Sequence, residues 1–171
     1  FIGSKECDLC DPAAVLSLFE KLRPTHVLHL AARVGGLFAN MSDGLGFWKD
    51  NMRMNQAVLD AAAAVDVKVF VGCLSTCVFP DAVQYPITEA DVHSVPPHPS
   101  NEGYAYAKRM LDVMCRLYTK KYSGLYTTVV PTNIYGPDDN FHLEQGHVIP
   151  GLIHKCHLAK QASSDFVVCG T

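Results

Sequence analysis

The sequence lacks the features of several protein classes. It has no apolar run that approaches the ~20 residues needed to cross a bilayer, and its first residues lack the basic and apolar regions of a signal peptide. Basic residues are few, because 14 Lys and Arg stand against 17 Asp and Glu, giving a formal net charge of -3. No basic cluster could neutralise a row of phosphates. We therefore expect neither a membrane nor a nucleic-acid partner.

Cysteine is plentiful, yet its pattern does not indicate disulfides. Seven cysteines, an odd number without an export signal, favour reduced thiols and a cytoplasmic location. Cys7 and Cys10 have the C-x-x-C spacing of a zinc or redox half-site, but a structural zinc site needs a second close pair. Cys73 and Cys77 are separated by three residues inside an apolar run, so we predict that no metal is bound.

Helix and strand patterns alternate along the chain. Asp11 and Pro12 begin a helix that Pro24 closes. Further helices are predicted over 45–65, 101–122 and 148–160, and strands over 26–32, 67–75, 125–131 and 166–169. The strands are apolar on both faces, which is typical of parallel strands between two helical layers. We therefore predict an α/β fold with a doubly wound parallel sheet, whose ligands bind beyond the carboxyl ends of the strands.

Tyr104 and Lys108 lie four residues apart on a predicted helix, so their side chains share one face. A lysine ammonium beside a phenol favours the phenolate and lowers the pKa of the tyrosine from about 10, which suits an acid or base. The same spacing also occurs on solvated helix faces. Ser75, at the end of a predicted strand, is placed to hydrogen-bond a carbonyl oxygen of a substrate, although serine is also a frequent turn residue.

Together, Ser75, Tyr104 and Lys108 resemble the catalytic set of the extended short-chain dehydrogenase/reductase superfamily. Residues 29–32 (HLAA) are similar to that superfamily's strand end beside the cofactor, and residues 131–137 (PTNIYGP) to its segment flanking the nicotinamide. Asn51 stands where the superfamily has an asparagine that steadies the active-site lysine through water. The resemblance implies a Rossmann-like fold that binds a dinucleotide.

Four segments also resemble the GDP-L-fucose synthase family: RVGGL, STCVFP, PTNIYGPDDN and GHVIPGL, which begin at residues 33, 75, 131 and 146. This resemblance implies a bifunctional, NADP-dependent oxidoreductase and epimerase. Its single site would epimerise C3 and C5 of GDP-4-keto-6-deoxy-D-mannose and then reduce C4 with NADPH. The resemblance also implies a homodimer, although the sequence does not fix the oligomeric state.

The resemblance assigns roles to five side chains. Tyr104 would donate a proton to the C4 oxygen, Lys108 would tune Tyr104 and bind the nicotinamide ribose, and Ser75 would hold the keto oxygen. Cys77 and His147 would be the base and acid of epimerisation, in either order. By their type alone, these two could equally be a buried thiol and a helix-start residue without a role.

The resemblance further implies two sets of binding residues. The NADP(H) set is Asp8 and Leu9 on the adenine side, with Leu30, Ala31, Ala32, Cys73, Leu74, Ser75, Thr76, Tyr104, Lys108, Pro131, Thr132, Asn133, Ile134 and His147. The sugar-nucleotide set is Val34, Gly35, Gly36, Asn133 and Lys155. The remaining motif-free histidines, His26, His29, His93, His98 and His142, receive no role.

Two alternatives stay open at this point. Another extended-superfamily enzyme, a sugar-nucleotide 4-epimerase or 4,6-dehydratase, would share Tyr104 and Lys108 but is not expected to carry Cys77 with His147. A non-catalytic dinucleotide-binding member is the other alternative, and it often loses one catalytic residue.

The domain organisation predicted from the sequence is incomplete. We expect residues 1–145 to form a partial NADP-binding domain without its first strand and glycine-rich phosphate loop, and residues 146–171 to begin a smaller substrate-binding domain. The chain would then be the middle of an enzyme and inactive by itself, and the choice between NADPH and NADH stays open.

Overall fold

Strands and helices alternate through the first of two structural units, Phe1–Thr132 and Asn133–Thr171. The computed structural model describes residues 2–143 and 146–168. The elements of the first unit are α1 (Pro12–Leu22), β1 (His26–His29), α2 (Leu37–Ser42), α3 (Gly44–Ala64), β2 (Val69–Cys73), α4 (Glu102–Lys121) and β3 (Leu125–Val129). Three short 3-10 turns, Thr76–Val78, Glu89–His93 and Pro99–Asn101, lie between β2 and α4. The second unit contains α5 (Val148–Ala162).

The three strands form one parallel sheet in the order β1-β2-β3. Gly72 of β2 is in register with His29 of β1 and with Thr128 of β3, so the carboxyl ends of all three strands reach one edge. Helices connect each strand to the next, which is how parallel strands are joined. The predicted α/β class with a parallel, Rossmann-like sheet is confirmed.

The start of α1 has the predicted cap. The Asp11 carboxylate accepts hydrogen bonds from the backbone of Ala13 at 2.9 Å and of Ala14 at 3.3 Å, and a proline occupies the first turn. The helix ends at Arg23, which takes a left-handed conformation with φ 47°. These bonds satisfy backbone groups that a helix end leaves unpaired.

The core lies on one face of this sheet. Phe70, at the centre of β2, is fully buried and its ring lies 5.9 Å from that of His29 and 5.8 Å from that of Tyr126. Side chains of α1, α3 and α4 complete the same buried cluster. Because successive residues of a strand point to opposite faces, Leu125 and Val129 lie on the other face, where both are exposed. Of the two helical layers expected from the strand pattern, the described residues of the first unit therefore form one.

Two elements differ from the sequence prediction. The sequence does not predict helix α2, since its segment follows two glycines. The helix is stabilised by a hydrogen bond from the side-chain amide of Asn40 to the carbonyl oxygen of Gly35, at 2.8 Å. The strand predicted over 166–169 is not formed at 166–168, and Cys169 lies outside the described residues. A strand needs a neighbour to pair with, and the described part of the second unit contains no other strand.

In residues 2–143 and 146–168, no helix combines the length and apolar character that membrane crossing requires.

Candidate active site

A short turn at the end of β2 carries two of the predicted site residues. Ser75 is the N-cap of the 3-10 turn Thr76–Val78, and its hydroxyl oxygen accepts a hydrogen bond from the backbone N–H of Cys77 at 3.4 Å. Val78, which ends the turn, is fully buried and anchors it to the core. Cys77 itself is half-buried and its thiol is free.

Helix α4 places Tyr104 and Lys108 beside that turn. The Lys108 ammonium donates to the carbonyl oxygen of Cys73 at 2.7 Å, and it lies 5.8 Å from the centroid of the Tyr104 ring. Helix α4 can start in close contact with α3 because Gly103 has no side chain. A Cβ at Gly103 would lie 2.1 Å from the carbonyl oxygen of Gly44 in α3. The structure thus brings the tyrosine, the lysine and the Ser75 turn together.

The acid–base character of Tyr104 differs from the sequence prediction. Burial, followed by the nearby thiol of Cys77, raises its pKa to about 12, while a side-chain hydrogen bond with Ser75 acts in the opposite direction. The prediction that Lys108 lowers this pKa is therefore wrong. Lys108 is 2% exposed, burial lowers its own pKa, and its ammonium is directed to a backbone carbonyl rather than to the phenol oxygen.

Asn51 holds the loop that follows β1. Its side-chain oxygen accepts from the backbone N–H of Arg33 at 3.0 Å, and its amide donates to the carbonyl oxygens of Arg33 at 3.0 Å and Phe47 at 2.8 Å. The family resemblance implies a water-mediated link to Lys108, whereas two direct bonds of this buried side chain go to Arg33 of the loop and the third goes to Phe47 in α3. Asn51 is thus placed to fix the loop that was predicted to contact substrate.

The rest of that loop is fastened in a similar way. The Arg33 guanidinium pairs with Asp43 at 2.8 Å and Asp50 at 3.0 Å, and it covers the Phe47 ring at 4.5 Å. Gly35 must lack a side chain, since a Cβ would lie 2.8 Å from the Phe47 ring. The predicted substrate residues Val34, Gly35 and Gly36 are all exposed on this anchored loop.

One buried polar pair was missed by the sequence interpretation. His29 is 4% exposed and its Nε2 lies 3.1 Å from the side-chain oxygen of Asn55, whose amide donates to the carbonyl oxygen of Ala107 at 3.4 Å. Burial, with a smaller effect of the Lys108 charge, lowers the pKa of His29 to about 4. A neutral imidazole facing an amide oxygen carries its proton on Nε2 and donates it. The one feature of the sequence that could have indicated this pair was a histidine inside an apolar predicted strand.

The other predicted cofactor residues of the first unit lie along the strand ends and before α1. Leu30, Ala31 and Ala32 follow β1, Leu74 and Thr76 follow β2, and Pro131 and Thr132 follow β3. Asp8 accepts a hydrogen bond from the backbone of Cys10 at 2.9 Å, and Leu9 packs against the core. Beyond β1, Ala31 is exposed and Ala32 is half-buried.

The remaining predicted site residues belong to the second unit. His147 is the N-cap of α5 and is exposed, and Lys155 is exposed on the same helix. Asn133 and Ile134 are also exposed, before that helix. The pairing of His147 with Cys77 stays a prediction, as does the contact of Lys155 with a sugar nucleotide.

The Cys7 and Cys10 thiols are each directed to a backbone oxygen. Burial raises the pKa of both, with Asp8 acting in the same direction, and each thiol lies near a different backbone oxygen, that of Asp8 at 3.8 Å and of Asp50 at 3.7 Å. Across residues 2–143 and 146–168, no three His, Cys, Asp or Glu side chains form a group able to hold a metal ion.

Several known proteins are similar to this chain, and their names indicate the same kind of enzyme. The profile of the NAD dependent epimerase/dehydratase family matches residues 4–171. A GDP-L-fucose synthase of Dictyostelium discoideum is 54% identical over 171 residues, covering 100% of this chain and 53% of that protein. A probable GDP-L-fucose synthase of Drosophila melanogaster is 52% identical over 157 residues, covering 92% of this chain and 49% of that protein.

A solved structure extends the comparison to the fold. The crystal structure of a GDP-L-fucose synthetase from Naegleria fowleri bound to NADP has 55% sequence identity and a TM-score of 0.90, over 100% of this chain and 56% of that one. The chain spans about half the length of the curated relatives it matches, 53% and 49% in the two cases above.

Proposed function

The chain belongs to the NAD dependent epimerase/dehydratase family, and from this premise we propose that the whole protein is a GDP-L-fucose synthase. It epimerises C3 and C5 of GDP-4-keto-6-deoxy-D-mannose and reduces C4 with NADPH to give GDP-L-fucose. The observation that carries the proposal is that Cys77 lies close enough to Tyr104 for the negative charge of its thiolate form to raise the pKa of the phenol, second to burial. A reductase alone needs the phenol, whereas an epimerase also needs a base of this kind.

The residues at the strand ends fit an NADP(H) cofactor. Lys108 donates one of its three N–H groups to the carbonyl oxygen of Cys73, and the described residues offer no acceptor to the other two, so these suit the hydroxyls of a ribose. Leu30 to Ala32 and Thr132 form the adjoining edge, with Asp8 and Leu9 on the adenine side. When bound, NADPH supplies the hydride that C4 receives.

The C4 carbonyl links the two reactions, since C3 and C5 both flank it. Loss of a proton from either carbon leaves an enolate whose charge lies on the C4 oxygen. Ser75 and Tyr104 supply hydroxyl donors for that oxygen, and a tyrosine with a pKa of about 12 keeps its proton at neutral pH. The raised pKa therefore suits Tyr104 as an oxyanion donor and as the acid in reduction.

Inversion at each carbon needs a base on one face and an acid on the other, which one tyrosine cannot supply. Cys77 and His147 divide these roles, in either order: one side chain, in its deprotonated form, takes the proton from the carbon, and the other, in its protonated form, gives a proton to the opposite face. Tyr104 then gives its proton to the C4 oxygen during reduction. Because reduction removes the carbonyl, the protons on C3 and C5 lose their acidity, and epimerisation must come first.

The proposal also covers substrate contacts, assembly and location. Val34 to Gly36, Asn133 and Lys155 bind the sugar nucleotide, and a homodimer forms through the outer side of α3 and α4. A groove of about 560 Å³ is lined by residues of α2, α3 and α4, among them the apolar Leu45, Trp48 and Met110. The enzyme works in the cytoplasm, where Cys77 stays a reduced thiol.

The experiment uses the full-length protein with NADPH and GDP-4-keto-6-deoxy-D-mannose. We expect NADPH oxidation to match GDP-L-fucose formation, and deuterium from D2O to enter C3 and C5. Tyr104→Phe is the control and should lower reduction strongly. Absence of NADPH oxidation in the wild-type enzyme would contradict the proposal, and oxidation without deuterium entry would indicate a reductase only.

A further inference from the structure

Arg109, the residue after Lys108, is buried beside the candidate active site without an assigned role. It is 3% exposed, and its Nε donates to the carbonyl oxygen of Val78 at 2.8 Å. Its guanidinium lies 5.5 Å from the centroid of the Tyr106 ring. Its Nη2 is buried and, among the described residues, has no hydrogen-bond partner. Burial lowers the pKa of Arg109, so the protein holds this cation at a cost.

The Arg109 hydrogen bond is one of two contacts that α4 makes with the segment around the 3-10 turn Thr76–Val78. Lys108 holds the carbonyl oxygen of Cys73, the last residue of β2 and three residues before the turn, and Arg109 holds that of Val78, at the end of the turn. Ser75 and Cys77 lie between these two carbonyls. Two neighbouring cations of α4 therefore fix both ends of the segment that carries them, each through a charge-assisted hydrogen bond.

The Val78 side chain is buried in the core, but the backbone hydrogen bonds within the turn are few. Its own backbone bonds run from Val78 to Ser75 at 3.0 Å and from Phe79 to Thr76 at 3.1 Å, and the Ser75 cap to Cys77 is long at 3.4 Å. A three-residue 3-10 turn has weaker hydrogen-bond geometry than an α-helix. The position of Cys77 relative to Tyr104 thus depends on the contact that α4 makes with Val78.

We propose that Arg109 is a positioning residue, which holds Cys77 in place against Tyr104 through the carbonyl oxygen of Val78. Its removal should affect the proton transfers assigned to Cys77 more than the reduction assigned to Tyr104, because Lys108 holds the Cys73 end of the turn independently. The catalytic part of this inference rests on the proposed function, whereas the structural part does not.

The test compares Arg109→Met, Arg109→Lys and Arg116→Met in the full-length protein. Met removes the donor but keeps an apolar side chain of similar length, and Lys keeps a cation that can donate. Arg116→Met is the matched control, since it removes an exposed arginine from the same helix. Amide hydrogen exchange at Val78 and Phe79 reports on the turn, and deuterium entry at C3 and C5 without NADPH reports on epimerisation.

For Arg109→Met we expect exchange at Val78 and Phe79 to rise about tenfold or more, while α4 and β2 change little. Deuterium entry should fall by on the order of tenfold, and reduction of a 4-keto sugar nucleotide that needs no epimerisation should fall by less than about threefold. Arg109→Lys should recover most of both losses, and Arg116→Met should match the wild type.

Two results would overturn the proposal. One is unchanged exchange at Val78 and Phe79 in Arg109→Met, and the other is unfolding or equally raised exchange throughout α4 and β2, which would make the role generally structural. If the wild-type enzyme does not act on the GDP sugar, the proposed function fails, and the exchange measurements still decide whether Arg109 holds the turn.

Discussion

The ammonium of Lys108 hydrogen-bonds the carbonyl oxygen of Cys73 at 2.7 Å rather than the phenol oxygen of Tyr104. This bond joins α4 to the last residue of β2. It also leaves the pKa of the tyrosine governed mainly by burial, which favours the neutral phenol. Tyr104 is accordingly a proton donor over the whole neutral range of pH.

The first prediction concerns the titration of Tyr104 in the cofactor-free protein. Because its pKa is about 12, the phenol should stay protonated to pH 10.5. Ultraviolet difference titration near 295 nm should therefore give the same curve for the wild type and Tyr104→Phe up to that pH. A component with a midpoint below 10 that disappears in Tyr104→Phe would contradict the burial argument.

The second prediction concerns His29, whose pKa is about 4 in the folded protein. Between that value and the ~6.5 of an unfolded histidine, the unfolded chain binds more protons, so the free energy of unfolding falls as pH falls through this window. The full loss is about 3 kcal/mol, and it is absent above pH 6.5. Denaturant unfolding at pH 4 to 7 measures it.

His29→Gln keeps an amide that can donate to Asn55 and should reduce this pH dependence by most of that amount. His26→Gln removes an exposed histidine of the same strand and should retain it. The assignment of a buried neutral imidazole would be wrong if His29→Gln and the wild type lost stability equally between pH 7 and pH 4.

The third prediction tests the close approach of α4 to α3. Gly103→Ala would place a Cβ 2.1 Å from the carbonyl oxygen of Gly44, and should destabilise the protein by about 2 kcal/mol despite the higher helix propensity of alanine. Gly44→Ala is the matched control, since a Cβ there meets no atom within 4 Å. Chemical denaturation should separate the two variants, and equal stability would refute the close approach.

The fourth prediction concerns Asn51 and the loop after β1. Asn51→Ala removes three hydrogen bonds, to Arg33 and Phe47, and should free the exposed Val34 to Gly36 segment. In the full-length enzyme we expect the KM for the sugar nucleotide to rise by about tenfold, with a smaller change in kcat. Steady-state kinetics with saturating NADPH measures both. A fall in kcat alone would instead favour the link to Lys108 that the family resemblance implies.

Local signals predicted much of the fold. Asp11 before Pro12 predicted a capped helix start, and strands separated by helices predicted a parallel sheet, because caps and periodicity depend on neighbouring residues. The sequence did not predict helix α2, because the helix is stabilised by the side-chain amide of Asn40. That amide donates to the carbonyl oxygens of Gly35 and Gly36, which precede the helix. The exposure of Leu125 and Val129 could not be predicted either, since a strand apolar on both faces does not show which face the chain itself covers.

The residues of the candidate site also divide into those that the sequence predicted and those that it did not. Tyr104, Lys108 and Ser75 were found by spacing and resemblance, but the raised pKa of Tyr104 depends on burial that no spacing reports. Asn55 and Arg109 act on partners far away in the sequence, His29 and Val78, so no local motif marks them.

The most direct test of the proposed function is solvent-deuterium entry at C3 and C5 of GDP-4-keto-6-deoxy-D-mannose in the full-length Cys77→Ser variant. Without NADPH, the wild type should exchange both positions, and Cys77→Ser should exchange them at least about a hundredfold more slowly. Its reduction of a 4-keto sugar nucleotide that needs no epimerisation should change by less than about threefold. Deuterium entry at the wild-type rate in Cys77→Ser would contradict the assignment of Cys77 to the proton transfers of epimerisation.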